Sequence, residues 1–192
     1  MDWTIPGTVL RRPREEAELI EDQFRAMFLG GGMVLSQISG ITGLEPYTVQ
    51  NWVKRGFLPP PEKKRYTLRQ LCRILNINTL KSILPMEQIC GLLGYINGQL
   101  DDEADDMIDD AALYFLFVKL AANAKELYRA QERDALLNQA LVTYEEPVPG
   151  ARERVKQVLR IMLTAWLAAR MRQASERMIK ELETQTNEKG VM

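Results

Sequence analysis

The chain has 192 residues, 46% of them hydrophobic, with a formal net charge of −1, two cysteines and no histidine. That is enough for one domain, or two small ones, around a packed core, and it excludes histidine-based triads, histidine-ligated metals and histidine pH switches. Cys72 and Cys90 have neither C-x-x-C spacing nor a disulfide framework and read as reduced thiols in a cytoplasmic protein.

The start of the chain lacks the apolar stretch of a secretory signal. The longest near-apolar run, Ile161 to Ala169, is too short to span a bilayer, so no membrane partner is expected. The net charge hides an asymmetry. From Met33 to Lys81 there are eight bases (Lys54, Arg55, Lys63, Lys64, Arg65, Arg69, Arg73, Lys81) against Glu45 and Glu62. From Ser82 to Val118 there is no base, and there are eight acids: Glu87, Asp101, Asp102, Glu103, Asp105, Asp106, Asp109 and Asp110. Two opposite fields lie side by side along the chain.

Residues 1–32 read as an N-terminal arm and one helix. Pro6, Gly7 and Pro13 make Met1 to Arg14 a loose arm whose Arg11, Arg12 and Arg14 read as a solvated tail in preference to a basic arm on DNA. Glu15 to Leu29 carries the helical stripe Leu19, Ile20, Phe24, Met27 and Phe28, with acids in its first turn. Gly30, Gly31 and Gly32 end it as a short flexible joint.

Residues 33–100 read as a helix-turn-helix with a basic wing. Ser36 is the expected N-cap of its first helix. Small Ser39 lets the two helices approach, and Gly43 takes the left-handed conformation that turns the chain. Leu44, Val49 and Trp52 fill the wedge between them. Pro46 fits the first turn of the second helix, which runs to Arg55. There Val49, Trp52 and Val53 share one face; Tyr47, Gln50, Asn51 and Lys54 share the other at i, i+3, i+4, i+7. Amides and a cation on an outer face are the groups that read base edges and phosphates in a major groove. Phe57 to Pro61 is too rich in proline for a regular strand, so the wing is short, with Lys63, Lys64 and Arg65 near its tip. Thr67 and Gln70 have capping-box spacing and start a third helix with Leu68, Leu71, Cys72, Ile74 and Leu75 inward. Pro85 opens a fourth, with Ile89, Leu92, Leu93 and Ile96 inward, and Asn97-Gly98 closes it.

The strings LSQISGITGLEPYTVQNWVKRGFLPPP, KKRYTLRQLCRIL and LPMEQICGLLGYI, over about Met33 to Ile96, resemble the DNA-binding domain of the MerR family. The resemblance implies two helices, a wing, a third helix and a short fourth. It places Arg65 and Tyr66 at the wing element that meets the phosphate backbone. Gln50 stands where an arginine is often found, and Asn51 where an aromatic or histidine is common. Those departures bear on sequence preference and leave the docking mode intact. Over about Leu35 to Leu120, the strings QNWVKRG, KRYTLRQLCRIL and GYINGQLDDEADD more closely resemble an uncharacterised bacterial family known only as a domain of unknown function.

Residues 101–192 read as a helical domain and a possible dimerisation region. Asp101 to about Leu141 and Ala151 to Glu183 are two long amphipathic helices that form an αα-hairpin, and Thr184 to Met192 is expected to fray. Their stripes, including Phe115, Phe117, Leu127, Ile161, Met162 and Trp166, need a further neighbour: either the N-terminal helix Glu15 to Leu29 within the chain or, the preferred expectation, a second subunit reached at Trp166. Asp101, Asp102, Asp105, Asp106, Asp109 and Asp110 form a negative ridge on the first of these helices. It reads as a helix start and linker, as an electrostatic partner for a basic surface, or as a divalent-metal site.

The expectation is therefore a mainly all-α protein, a winged helix-turn-helix domain followed by a helical domain with two long helices. It is a cytoplasmic DNA-binding transcriptional regulator with double-stranded DNA and a second copy of itself as partners, an unidentified effector, no cofactor, no metal and no catalytic residues. Its contact set is Tyr47, Thr48, Gln50, Asn51, Lys54, Arg55, Lys63, Lys64, Arg65 and Tyr66. The alternatives are a protein-interaction adaptor on the same scaffold and a metal-dependent hydrolase using the acidic helix.

Overall fold

In the computed structural model, which describes residues 2–98, 100, 105–123 and 126–189, the N-terminal segment is a packed hairpin and not a loose arm. Strand β1 (Asp2–Thr4) pairs antiparallel with β2 (Arg11–Pro13), Trp3 opposite Arg12. Trp3 and Ile5 supply the reason: both are buried, and their burial outweighs the breakers around them. Gly7, at φ +73°, makes the turn where a Cβ would lie 2.5 Å from the Leu75 carbonyl oxygen. The turn is held by Tyr114 Oη donating to the Pro6 carbonyl (2.8 Å) and Asn78 Nδ2 donating to that of Gly7 (2.7 Å).

A 3-10 stretch, Arg14–Leu19, leads into α1 (Ile20–Met27). Of the expected stripe, Ile20 and Phe24 are buried, while Leu19 and Met27 remain about half exposed. Helices α2 (Leu35–Thr42) and α3 (Pro46–Lys54) form the helix-turn-helix. Gly43 has φ +69° and donates to the Ser39 carbonyl at 2.8 Å, so it ends α2 as the sequence demands. The N-cap is Val34, not Ser36. A valine side chain accepts nothing, so the end is held by Gln37 Oε1, which accepts from the Val34 N–H at 3.0 Å. Ile38, Ile41, Leu44, Val49 and Trp52 are buried between the helices.

After α3 the chain runs through the prolines into a tight turn at Glu62–Arg65, then returns so that Met33 and Tyr66 exchange backbone hydrogen bonds of 2.8 and 2.7 Å. Helix α4 (Leu68–Leu80) opens on a full capping box: Gln70 N–H donates to Thr67 Oγ1 at 3.2 Å, and Thr67 N–H to Gln70 Oε1 at 2.8 Å. Helix α5 (Met86–Asn97) follows Pro85.

The second half departs from two long helices. Helix α6 (Asp110–Ala122), α7 (Ala130–Ala140) and α8 (Ala151–Lys189) replace them, with a 3-10 turn at Glu126–Tyr128. Helix α6 is apolar on nearly every side, the signature of a helix buried all round. It ends at Asn123, whose Nδ2 donates to the Lys119 carbonyl at 3.1 Å, and Leu127, in the 3-10 turn, is buried in the core. Residues 105–109 are not helical, so the expected acidic ridge does not form there; Asp101, Asp102, Gln99 and the end of the chain from Gly190 lie outside the described residues.

One core cluster runs from Trp3 to Leu167 and does not divide at residue 100. Helices α4 and α6 cross at its centre, and every residue of α4 from Leu71 to Ile77 is buried. No described helix is long and apolar enough to cross a membrane.

Candidate nucleic-acid interface

The 3.6-residue period of α3 sends Val49 and Trp52 into the core, and so sends Tyr47, Gln50, Asn51 and Lys54 outward. Tyr47 is 70% exposed on a helix whose other aromatic is buried. Thr48 is half-buried at the edge of this row. Arg55, just past the helix, is exposed; its guanidinium lies 4.6 Å from the Phe57 ring centre and 3.7 Å from Glu87.

The turn after the prolines places two lysines in an unusual backbone. Lys63 has φ +47° and Lys64 φ +64°, while the Arg65 N–H donates to the Glu62 carbonyl at 2.8 Å. Two consecutive left-handed residues are a hairpin turn that normally takes Asn-Gly. A side chain there costs about 1–2 kcal/mol per residue, and such strain persists only where the surroundings enforce it. The enforcement is visible. Gln70, already half of the α4 capping box, donates through Nε2 to the Pro59 and Pro60 carbonyls at 3.1 and 2.9 Å. Arg65 donates through Nη1 to the Gly32 carbonyl at 2.8 Å and ties the turn to the start of α2.

The contact set expected from sequence is therefore split. Lys63 and Lys64 stand at the tip, and neither they nor Lys54 ion-pairs with a carboxylate among the described residues. Arg65 is exposed but engaged at the base of the turn. Tyr66 is a correction: it is 3% exposed, because its bridge to Met33 turns the ring inward, and burial raises its phenol pKa. It packs the back of the site and does not reach a phosphate.

Between α3, the start of α2 and the tip runs a groove of about 610 Å³ lined by Val34, Leu35, Ser36, Gln50, Val53, Pro61, Lys64 and Tyr66. It brings Gln50 of the outer helix face and Lys64 of the turn onto one surface, and its lining holds no acid.

The two opposite charge blocks meet elsewhere. Arg69 Nη2 lies 2.6 Å from Asp106 Oδ2 and within 4.0 Å of both Asp109 and Asp110. Arg73 Nη1 is 3.2 Å from Asp110 Oδ2, and its Nε donates to the Phe57 carbonyl at 3.0 Å. Asp109 is the N-cap of α6, accepting from the Ala111 and Ala112 N–H groups at 2.8 and 3.1 Å. Burial of the Asp106 side chain outweighs Arg69 beside it and pushes its carboxyl up to about 6; burial raises Asp110 as well, against the pull of Arg73. Asp106, Asp109 and Asp110 thus pair with Arg69 and Arg73 of α4, and none of them lines the groove. Among the described residues no group of three acids or thiols is placed to hold a metal ion. The charge blocks were legible in the sequence, and so, as one of three readings, was the acids' role as partners of a basic surface; which residues pair, and the bracing role of Gln70, were not.

Residues 17–117, more than half of the chain, match the family described as Domain of unknown function (DUF1836). A Bacillus subtilis (strain 168) protein carrying the name Uncharacterized protein YkrK is 32% identical over 84 residues, which is 42% of this chain and 36% of that relative. The chain therefore spans about a third of the length of the curated relative it matches. No solved structure matches it.

Proposed function

The chain belongs to the DUF1836 family, whose match runs through the whole of the helix-turn-helix, the lysine turn and helices α4 and α5, and from that premise we propose that it is a DNA-binding transcriptional regulator of the winged helix-turn-helix type. Helix α3 enters the major groove, where Tyr47, Gln50, Asn51 and Lys54 meet base edges and flanking phosphates. The turn is the wing, and Lys63 and Lys64 take the backbone beside it. Arg55 adds a further phosphate contact, with Thr48 at the margin. The reading includes no catalysis and no cofactor, and places the protein in the cytoplasm.

One observation carries it: an amide and a cation line the same groove, whose lining holds no acid, with Gln50 on the helix and Lys64 on a strained turn. Base-reading and phosphate-binding chemistry share one surface there, as duplex recognition requires. The test is a salt titration of duplex binding. Lys63→Ala with Lys64→Ala should weaken binding to every sequence and lower the slope of log affinity against log salt by up to about 2. Asn51→Ala should instead relax preference at one base pair. A double-lysine variant that keeps the parent's affinity and slope would remove the turn from the interface.

A second reading is favoured by the apolar share of the same groove. Val34, Leu35, Val53 and Pro61 suit an adaptor that docks a peptide and no DNA.

A further inference from the structure

The face of α3 that stands clear of the core is chemically narrow. Gln50 and Asn51 are adjacent and exposed, and neither side chain has a hydrogen-bond partner among the described residues. Each amide holds an acceptor and a donor side by side. Guanidinium groups are kept off this face. Four arginines lie between Met33 and Lys81, and all are engaged elsewhere. Arg55 lies over the Phe57 ring, Arg65 is bonded to the Gly32 carbonyl, and Arg69 and Arg73 pair with the acids before and at the start of α6. Arginine is the commonest reader of guanine, so its place in the outer row is taken by groups of another preference. Lys54 is the last residue of α3, and the early turns of a recognition helix are the ones that reach base edges; its ammonium falls beside phosphates.

Beside Gln50 the surface turns apolar. Val53 lies three residues further along α3, on the same side of the helix, and is half-buried. With Leu35 and Pro61 it walls the groove that Gln50 lines. An amide next to an apolar wall matches one kind of base pair. In the major groove adenine presents N7 as acceptor and its N6 amino group as donor, and the thymine opposite presents a C5 methyl. A G·C pair presents two acceptors and an amino group, with no methyl.

We propose that the groove between α3 and the lysine turn takes an A·T pair, with the Gln50 amide on adenine and the thymine methyl against Val53 and Leu35, while Asn51 takes a neighbouring adenine. The inference rests on the duplex-binding reading above and names the bases that reading leaves open. Gln50 Nε2 donates to adenine N7, and Oε1 accepts from the N6 amino group. Lys64, on the same lining, faces the polyanion with no acid beside it. The apolar share of the groove thus has an occupant within the duplex itself. The inference holds for each helix-turn-helix unit, whether one copy or two occupy the DNA. Trp166, the residue the sequence points to for subunit contact, is 7% exposed and packs edge-on against Phe117 within the chain, ring centres 6.1 Å apart.

The experiment selects duplexes from a random pool with the full chain at low salt, and repeats the selection with Gln50→Ala and Gln50→Arg. The parent should enrich adjacent A·T pairs. Gln50→Ala should relax preference at one of them, and Gln50→Arg should move that pair to G·C. Deoxyuridine in place of its thymine removes only the methyl and should weaken the parent about fourfold, the worth of one buried methyl. The uridine probe leaves the protein unaltered, so a folding defect cannot imitate its effect. A G·C pair at the position Gln50 governs, a Gln50→Ala variant with the parent's preference, or equal binding of thymine and uridine duplexes would each overturn the inference and leave duplex binding standing. Retention of no duplex would overturn the regulator reading, and this inference with it.

Discussion

Lys63 and Lys64 hold left-handed conformations that glycine adopts at no steric cost, and the protein keeps lysine at both. Strain retained at an exposed turn, where packing gains nothing from a long side chain, points to work done by the ammonium groups. Lys63→Gly with Lys64→Gly should therefore raise the free energy of unfolding by about 1–2 kcal/mol, since two strained side chains are relieved against some added chain entropy. The same variant should bind duplex more weakly. Urea denaturation and a binding titration on one preparation check both, and a variant that is less stable than the parent contradicts the strain argument. At this scale much of the interface was legible. Helical period alone separates Tyr47, Gln50, Asn51 and Lys54 from Val49 and Trp52. Tyr66 was not legible, because the resemblance gave its place in the chain while the side it faces is decided by the bridge to Met33.

Elements were most readable where local chemistry ends them. Gly43, Pro46 and the Thr67–Gln70 capping box do in the structure what their residue types dictate. They failed to be readable where distant contacts decide. The N-terminal hairpin exists because Trp3 and Ile5 find a core built from residues far along the chain, and Leu127 finds the same core from the 3-10 turn. The segment before α6 is a mixed case: residues 105–109 are not the helix the sequence leads one to expect, while two of the roles read for the acids hold, Asp109 capping α6 and Asp106 and Asp110 partnering Arg69 and Arg73 of α4. That junction titrates. Asp106, facing Arg69, Asp110 and Asp105, has its carboxyl raised from 3.8 to about 6, so the folded chain holds this proton more tightly than the unfolded one. Between about pH 4 and pH 6 folding takes up the proton; stability from this group falls as pH rises through that window and stays lower above it. Asp106→Asn removes the effect. Urea midpoints taken across the window should fall for the parent relative to the variant as pH rises, then run parallel above it. Parallel curves throughout would contradict the raised carboxyl.

The whole molecule is organised by α4 and α6. A helix buried on every side needs neighbours all round, so α4 joins the helix-turn-helix to α6, and α8 closes over both. Sequence patterning divides the chain at residue 100, between the helix-turn-helix and the helices that follow; one core cluster runs across that point, and Arg69 and Arg73 on one side fasten to Asp106 and Asp110 on the other. What reaches out of this single core is the face of α3 with its lysine turn, and the free end of α8. The central claim is that the first of these reads duplex DNA. It is tested most directly by incubating the full chain with a random-sequence duplex pool at low salt and sequencing what is retained. The account predicts retention that falls steeply as salt is raised, with enrichment of a short motif repeated about one helical turn, or a multiple of it, apart. No retention of any duplex at low salt would contradict it.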